Sequence, residues 1–329
     1  MPPALNPRHW RAVILSVAAA ACGYLAFSLW GGWHEVLASV GRVGWGGVAL
    51  LLALSALNYG LRFLRWQLYL RTLGHPQPWR PSLLIYIGGF ALTTTPGKAG
   101  EALRSLFLKT RGMPFGPSMA AFLSERLSDL LAIVLLCLLG VGLSARHPGL
   151  QALVLVAVAL LALSFLLIAQ GRLLQRWQAR AQQGRSRLAR GLAQGLSLLA
   201  SARTCHRPSV LLVATALSLV AWSAEAWAFH RLLGMLGGSP SMAFSFSVYA
   251  IGMLAGALSF LPGGLGGTEA TMVGLLLMSG LSQPVAVVAT VLIRLTTLWF
   301  AVALGLAALL RLLRRAPTEP AEPAAPARA

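Results

Sequence analysis

Charge is what this sequence has least of. Asp, Glu, Lys and Arg together make up 11% of its 329 residues, where a soluble domain would carry about 25%. Acidic residues are the scarcest class, eight against 27 basic ones. Cysteine is nearly absent: Cys22 and Cys137 lie in apolar runs and Cys205 in a basic stretch, a placement that gives neither a disulfide framework nor metal-ligand spacing. Gly-x-Ser-x-Gly and His-Glu-x-x-His are both missing, so the usual hydrolase and zinc-protease arrangements have no footing. The net charge of +19 would suggest nucleic acid in a soluble protein. Here the basic residues sit in the gaps between apolar runs and leave no basic, aromatic-interleaved fold to bind it.

What remains is hydrophobic. Apolar runs near 12–30, 45–66, 116–143, 151–170, 209–230 and 284–310 have about the 17–25 residues needed to cross a bilayer, or slightly more. The first is read as a retained span, because no convincing cleavage site follows it. Two further stretches, 82–108 and 244–278, are apolar but interrupted. One breaks at Pro96, Gly97 and Gly100, the other at Pro262, Gly263, Gly264, Gly266 and Gly267. Each arm is too short to span and reads as half of a re-entrant hairpin.

Basic residues set the orientation. Arg62, Arg65, Arg71 and Arg80 are read as following the second span, Lys109 and Arg111 the first broken segment, and Arg311, Arg314 and Arg315 the last helix. Eight arginines, from Arg172 to Arg207, fill a central loop at 171–208. If both broken segments return to the side they came from, all these clusters fall in the cytoplasm, and so do both termini. The central loop is expected to include an amphipathic helix on the anionic inner leaflet. The tail 316–329 reads as disordered.

The broken segments match each other. Pro96-Gly97 aligns with Pro262-Gly263 and Glu101 with Glu269; eleven residues on stand Gly112 and Gly280, and twenty-five residues on stand Arg126 and Arg294. Units 45–143 and 209–310 each read helix, broken hairpin, helix. The charge pattern starts them on opposite sides, which makes them an inverted repeat. A break at membrane depth must line protein or a polar cavity, and a half-helix N-terminus offers free N–H groups to an anion.

Nine ionisable residues fall at membrane depth: Lys98, Glu101, Arg104, Glu125, Arg126, Asp129, Glu225, Glu269 and Arg294. Each would cost about 2.5–3.5 kcal/mol unpaired at a helix centre, so they must pair, face a polar path, or both. Glu125 and Asp129, four apart, share a helical face, as do Glu101 and Arg104. Glu225 has no charged sequence neighbour before His230 and Arg231. It is either a proton-coupling carboxylate or a partner for a group on another helix.

Three ordered motifs resemble one family. Pro96-Gly97-Lys98-Ala99-Gly100-Glu101 followed by Arg104, Ser124-Glu125-Arg126-Leu127-Ser128-Asp129, and Leu261-Pro262-Gly263-Gly264-Leu265-Gly266-Gly267-Thr268-Glu269 followed by Arg294 are similar to those of the lysylphosphatidylglycerol synthase transmembrane domain, or flippase-like, family. The likeness covers roughly residues 10–315 and implies lipid flipping. At 329 residues the chain is expected to lack the aminoacyl-transferase domain of the two-part synthases, so their synthase activity is not carried over.

The expectation is therefore an all-α polytopic membrane protein with about six spanning helices and two re-entrant hairpins in one domain, 8–315. It would be a non-enzymatic lipid translocator of the cell inner membrane, without cofactor or metal. Lys98, Arg104, Arg126 and Arg294 would hold a headgroup phosphate, with Glu101, Glu125, Asp129 and Glu269 orienting them. Its partners would be membrane lipids and the anionic inner leaflet, with a lipid-modifying enzyme as a further candidate and nucleic acid excluded. A transporter of a small soluble anion and a non-catalytic scaffold for lipid-modifying enzymes are the alternatives.

Overall fold

The structure, a computed structural model, describes residues 33–95, 99–138, 148–170, 176–177, 180, 187–259 and 261–314. Among these residues every regular element is a helix. The protein is an all-α polytopic membrane protein. The expected span at 12–30 and the tail at 316–329 lie outside the described residues.

Helix α1, Trp33–Thr72, is broken only at Gly44, whose φ of 67° and ψ of 167° leave the helical region. A positive φ there is open to glycine at little cost. A short loop leads to α2, Trp79–Gly88, which tightens into a 3-10 turn, Gly89–Leu92. The chain returns as α3, Ala99–Lys109, and continues as α4, Phe115–Leu138. Helices α5, Pro148–Ala169, and α6, Arg187–Cys205, follow, so the second half of the basic central loop is helical. Helix α7, Pro208–Met235, starts with proline in its first turn, where no hydrogen-bond donor is lost. Helix α8, Met242–Leu258, begins where the Ser241 hydroxyl accepts the Phe244 N–H. A 3-10 turn, Pro262–Gly264, precedes α9, Gly267–Met278. Helix α10, Gln283–Arg294, passes through a π-helical segment, Leu295–Trp299, into α11, Phe300–Arg314.

Residues 38–72, 148–169, 208–235 and 283–314 form helices long and apolar enough to cross a bilayer. Helix α4 is equally long, with 24 residues, but carries Glu125, Arg126 and Asp129. The arms α2, α3, α8 and α9 have 10 to 17 residues and rise only about 15–26 Å, short of a hydrocarbon core of about 30 Å. The two arms of each interrupted segment pack on one another, α2 on α3 and α8 on α9, so both segments are hairpins.

The long helix 283–314 shows how the hairpins lie. It is the most enclosed span, 78% buried in its apolar window against 17% for α5. The first hairpin runs antiparallel along its second half: Gly88 lies against Leu309 and Leu312, and Gly305 lies against the backbone of Phe90 and Ala91. A methyl group on Gly305 would collide with the Ala91 amide nitrogen, so only glycine permits this approach. The second hairpin leads directly into the start of α10 through 279–282 and bonds back to Arg294 with its tip. The tips touch at the helix midpoint. A Cβ built on Gly263 lies 3.2 Å from the Thr94 Cγ2 and 3.6 Å from the Leu298 Cδ2. The bases of the two hairpins thus sit at opposite ends of one helix.

The halves also pack reciprocally. Helix α1 packs along α7, the first hairpin packs on α11, and α8 of the second hairpin packs on α4.

Candidate functional site

Helix α1 contributes more than the sequence assigned to it. It continues unbroken past residue 66, the expected end of the span, to Thr72, so Arg62 and Arg65 lie within the helix rather than after it. With Asn58 and Tyr69 they follow the four- and three-residue spacing of a single helical face. The Arg65 side chain is fully buried and that of Arg62 is 12% exposed.

Asp129 on α4 is the hub they converge on. Its Oδ1 accepts from Arg65 Nη1 at 2.7 Å and Trp222 Nε1 at 3.0 Å; its Oδ2 accepts from Arg62 Nη2 at 3.1 Å and forms an ion pair with Arg126 Nη2, also at 3.1 Å. One turn earlier on the same face, Glu125 Oε2 accepts from Arg104 Nη1 at 2.9 Å, while its Oε1 stands 3.9 Å from Arg65 Nη2. Arg65 also donates to the Ser218 hydroxyl on α7. The Tyr69 hydroxyl is 2.6 Å from the Ser128 hydroxyl beside this chain of contacts. Helices α1, α3, α4 and α7 are thereby joined in one polar network.

Aromatic rings enclose two of the arginines. The Arg104 guanidinium carbon lies 4.6 Å from the Tyr86 ring centroid, 5.3 Å from Trp66 and 5.9 Å from Phe90. That of Arg62 lies 5.3 Å from Trp222. Such faces attract cations most strongly when water is excluded. The backbone of Gly89 is pressed against Arg104 so closely that any Cβ there would overlap the guanidinium.

Among the residues whose side chains are described, the network is electrically unbalanced: four guanidiniums (Arg62, Arg65, Arg104 and Arg126) face two carboxylates, Glu125 and Asp129. Among the described residues, the buried Nε atoms of all four arginines, Arg65 Nη2 and the Tyr86 hydroxyl have no hydrogen-bond partner. Exposure rises along the arginines around Asp129, from 0% at Arg65 through 12% at Arg62 to 32% at Arg126. One edge of the network therefore reaches the molecular surface.

The second hairpin has a smaller, balanced arrangement. Arg294 Nε donates to Glu269 Oε1 at 2.7 Å and its Nη2 to the Gly263 carbonyl at 2.8 Å. Glu269 Oε2 accepts the Gly266 N–H at 2.7 Å, the reach-back contact of a capping box. Arg294 and Glu269 clamp the Pro-Gly break closed: Gly263, Gly264 and Gly266 all have positive φ, at 64°, 68° and 84°. All three Arg294 nitrogens are thus committed to the hairpin itself, Nη1 through the Met253 sulfur at 4.0 Å.

Of the residues singled out in the sequence, Arg104, Glu125, Arg126 and Asp129 come together in the network. Glu269 and Arg294 form the separate clamp. Glu225, on α7, accepts from the Tyr249 hydroxyl at 2.6 Å. Gly100 lies in the first turn of α3, and Gly267 opens α9. Pro96, Gly97 and Lys98 lie outside the described residues, as does the side chain of Glu101. Among the described residues no group of three His, Cys, Asp or Glu side chains could hold a metal ion. A surface cavity of about 610 Å3 lies around the loops 236–241 and 279–282, and another of about 470 Å3 around 230–240; neither is lined by Arg62, Arg65, Arg104 or Arg126.

Comparison with known proteins agrees with the membrane class. A family model described as the lysylphosphatidylglycerol synthase TM region matches residues 13–305. Two UPF0104 membrane proteins of Methanothermobacter thermautotrophicus align with the chain nearly end to end. One is 24% identical over 327 residues, covering 91% of this chain and 92% of its own length. The other is 26% identical over 303 residues, covering 85% and 88%.

Proposed function

Because the chain belongs to the lysylphosphatidylglycerol synthase transmembrane-region family, we propose that it translocates a lipid by its anionic headgroup, through a polar site next to the meeting point of two inverted hairpins. The observation that carries this reading is the surplus, among the described residues, of four guanidiniums over two carboxylates, with buried donors left unpartnered and Arg126 at the exposed edge. A buried charge without a counter-ion is expensive, and a phosphate oxygen is the acceptor that guanidinium forks fit best. Arg62 and Arg126, at the exposed edge, receive the headgroup. Arg65 and Arg104 hold the inner positions, and Glu125 and Asp129 fix the guanidinium planes.

An inverted repeat accounts for the reciprocal packing and for hairpin bases at opposite ends of one helix. Rocking one unit against the other would then expose the site to each face in turn. The arginine-rich central loop holds its side in the cytoplasm of an inner membrane, with both termini there. The protein moves its substrate without a chemical step, and its α6 helix lies on the anionic leaflet, where it is placed to meet a lipid-modifying enzyme.

Proteoliposomes loaded with labelled phosphatidylglycerol, phosphatidylcholine or soluble phosphate separate the possibilities. The expected result is faster redistribution of phosphatidylglycerol than in empty vesicles, with phosphatidylcholine slower and phosphate not taken up. Phosphate uptake with unchanged lipid asymmetry would replace this reading with a soluble-anion carrier. Neither activity would leave a scaffold.

A further inference from the structure

Glu225 differs from the other buried acids whose surroundings are described. Glu125, Asp129 and Glu269 each have an arginine nitrogen within 2.7–2.9 Å. Glu225, 4% exposed, has a hydrogen bond from the Tyr249 hydroxyl. Among the described residues no Lys, Arg or His nitrogen lies within 4 Å of it. It is nevertheless tied to the arginine network. It stands three residues after Trp222 on α7, and Trp222 donates to Asp129 and stacks with Arg62.

Every helix packed on this part of α7 brings a charged or titratable group toward Glu225. These are Tyr59 and Arg62 of α1, Asp129 of α4, Tyr249 of α8 and Arg294 of α10. Arg62 and Arg294 are already engaged with Asp129 and Glu269 respectively, so neither is a dedicated counter-ion. An ionised Glu225 lowers the network's positive surplus by one, and a protonated Glu225 leaves it whole.

We infer that Glu225 is a proton-binding site linked to the arginine network, so that an anionic headgroup and a proton are taken up together. The inference rests on the anion-binding reading above and adds the coupled ion. The proton comes from water, binds a carboxyl oxygen of Glu225, and is released when the headgroup leaves. No bond to the lipid is made or broken. Linkage requires the effect to be reciprocal: protonation tightens anion binding, and anion binding draws in a proton.

The test uses the full chain in detergent micelles and a short-chain phosphatidylglycerol, whose phosphodiester keeps one charge over the range studied. Wild-type affinity is expected to rise as pH falls, by up to about tenfold per pH unit for one linked proton. Glu225→Gln, which can still accept from Tyr249, should bind tightly at every pH. An unchanged pH slope in Glu225→Gln overturns the inference and leaves the anion site standing. If phosphatidylglycerol fails to bind at any pH, the anion-site reading is lost, but Glu225 is still decided by infrared titration. A carboxylic-acid carbonyl band that titrates in wild type, shifts in Tyr249→Phe and vanishes in Glu225→Gln supports the proton site. No such band overturns it.

Discussion

Asp129→Asn should cost about 3–5 kcal/mol, the usual penalty for removing one partner from a buried ion pair. The replacement is nearly isosteric, so the loss is electrostatic. The new amide would offer one acceptor oxygen where Arg62, Arg65, Arg126 and Trp222 now share two, and its own donors would point at guanidiniums. The surplus of positive charge would rise from two to three. Arg126→Ala provides the contrast. Its side chain is 32% exposed, and such pairs contribute about 0–1 kcal/mol. Unfolding in mixed micelles should rank wild type and Arg126→Ala close together and Asp129→Asn far below. Adding Arg62→Met to Asp129→Asn should recover part of the loss, because it removes one of the cations left without a carboxylate. Equal stability of Asp129→Asn and wild type would mean that the network is not an internal scaffold.

Arg294→Ala should open the second hairpin. It would leave the Glu269 carboxylate buried without its cation and the Gly263 carbonyl without its donor. Each loss is of the kind that costs about 1–3 kcal/mol or more. Arg294→Lys would not restore both contacts, since an ammonium lacks the fork that reaches two acceptors from one side chain. Hydrogen exchange read along the chain should show 261–270 losing protection in both variants while α1 and α7 keep theirs. Protection unchanged at 261–270 would show that the break holds its shape without the clamp.

The membrane class and both hairpins were legible because a Pro-Gly break inside an apolar run frees backbone groups that lipid cannot satisfy, and short arms on either side cannot span. Four of the six expected spans correspond to long apolar helices, and 116–143 appears as the charged helix α4, Phe115–Leu138, with 139–143 outside the described residues. Arg62 and Arg65 were missed for a physical reason. Both fall near the end of the apolar run 45–66, where an arginine reads as an orientation marker when only its charge is counted, yet no proline or glycine stops α1 between Gly60 and Gly74. The available signal was the one-face spacing of Asn58, Arg62, Arg65 and Tyr69. Matched spacing also did not dictate matched partners. Arg126 and Arg294 each stand twenty-five residues after a glutamate, but Arg126 pairs within its own helix while Arg294 reaches across to Glu269. Which face of a helix meets which neighbour depends on packing that no linear spacing records. The aromatic enclosure of Arg104 is a further case, since Trp66 comes from α1 and Tyr86 and Phe90 from the first hairpin.

The most direct test of the arginine network as an anion-headgroup site is the lipid that the protein retains. Arg62 is the residue to change: it is partly exposed, has a free Nε, and leaves Asp129 with Arg65, Arg126 and Trp222 when removed. Native mass spectrometry of wild type and Arg62→Gln, released from vesicles containing equal phosphatidylglycerol and phosphatidylcholine, would compare them at the same folded fraction. An anion-headgroup site predicts retained phosphatidylglycerol on wild type, falling by about tenfold or more in Arg62→Gln, as expected for losing one charge-assisted bond. Equal retention of both lipids, or no change in the variant, would contradict it.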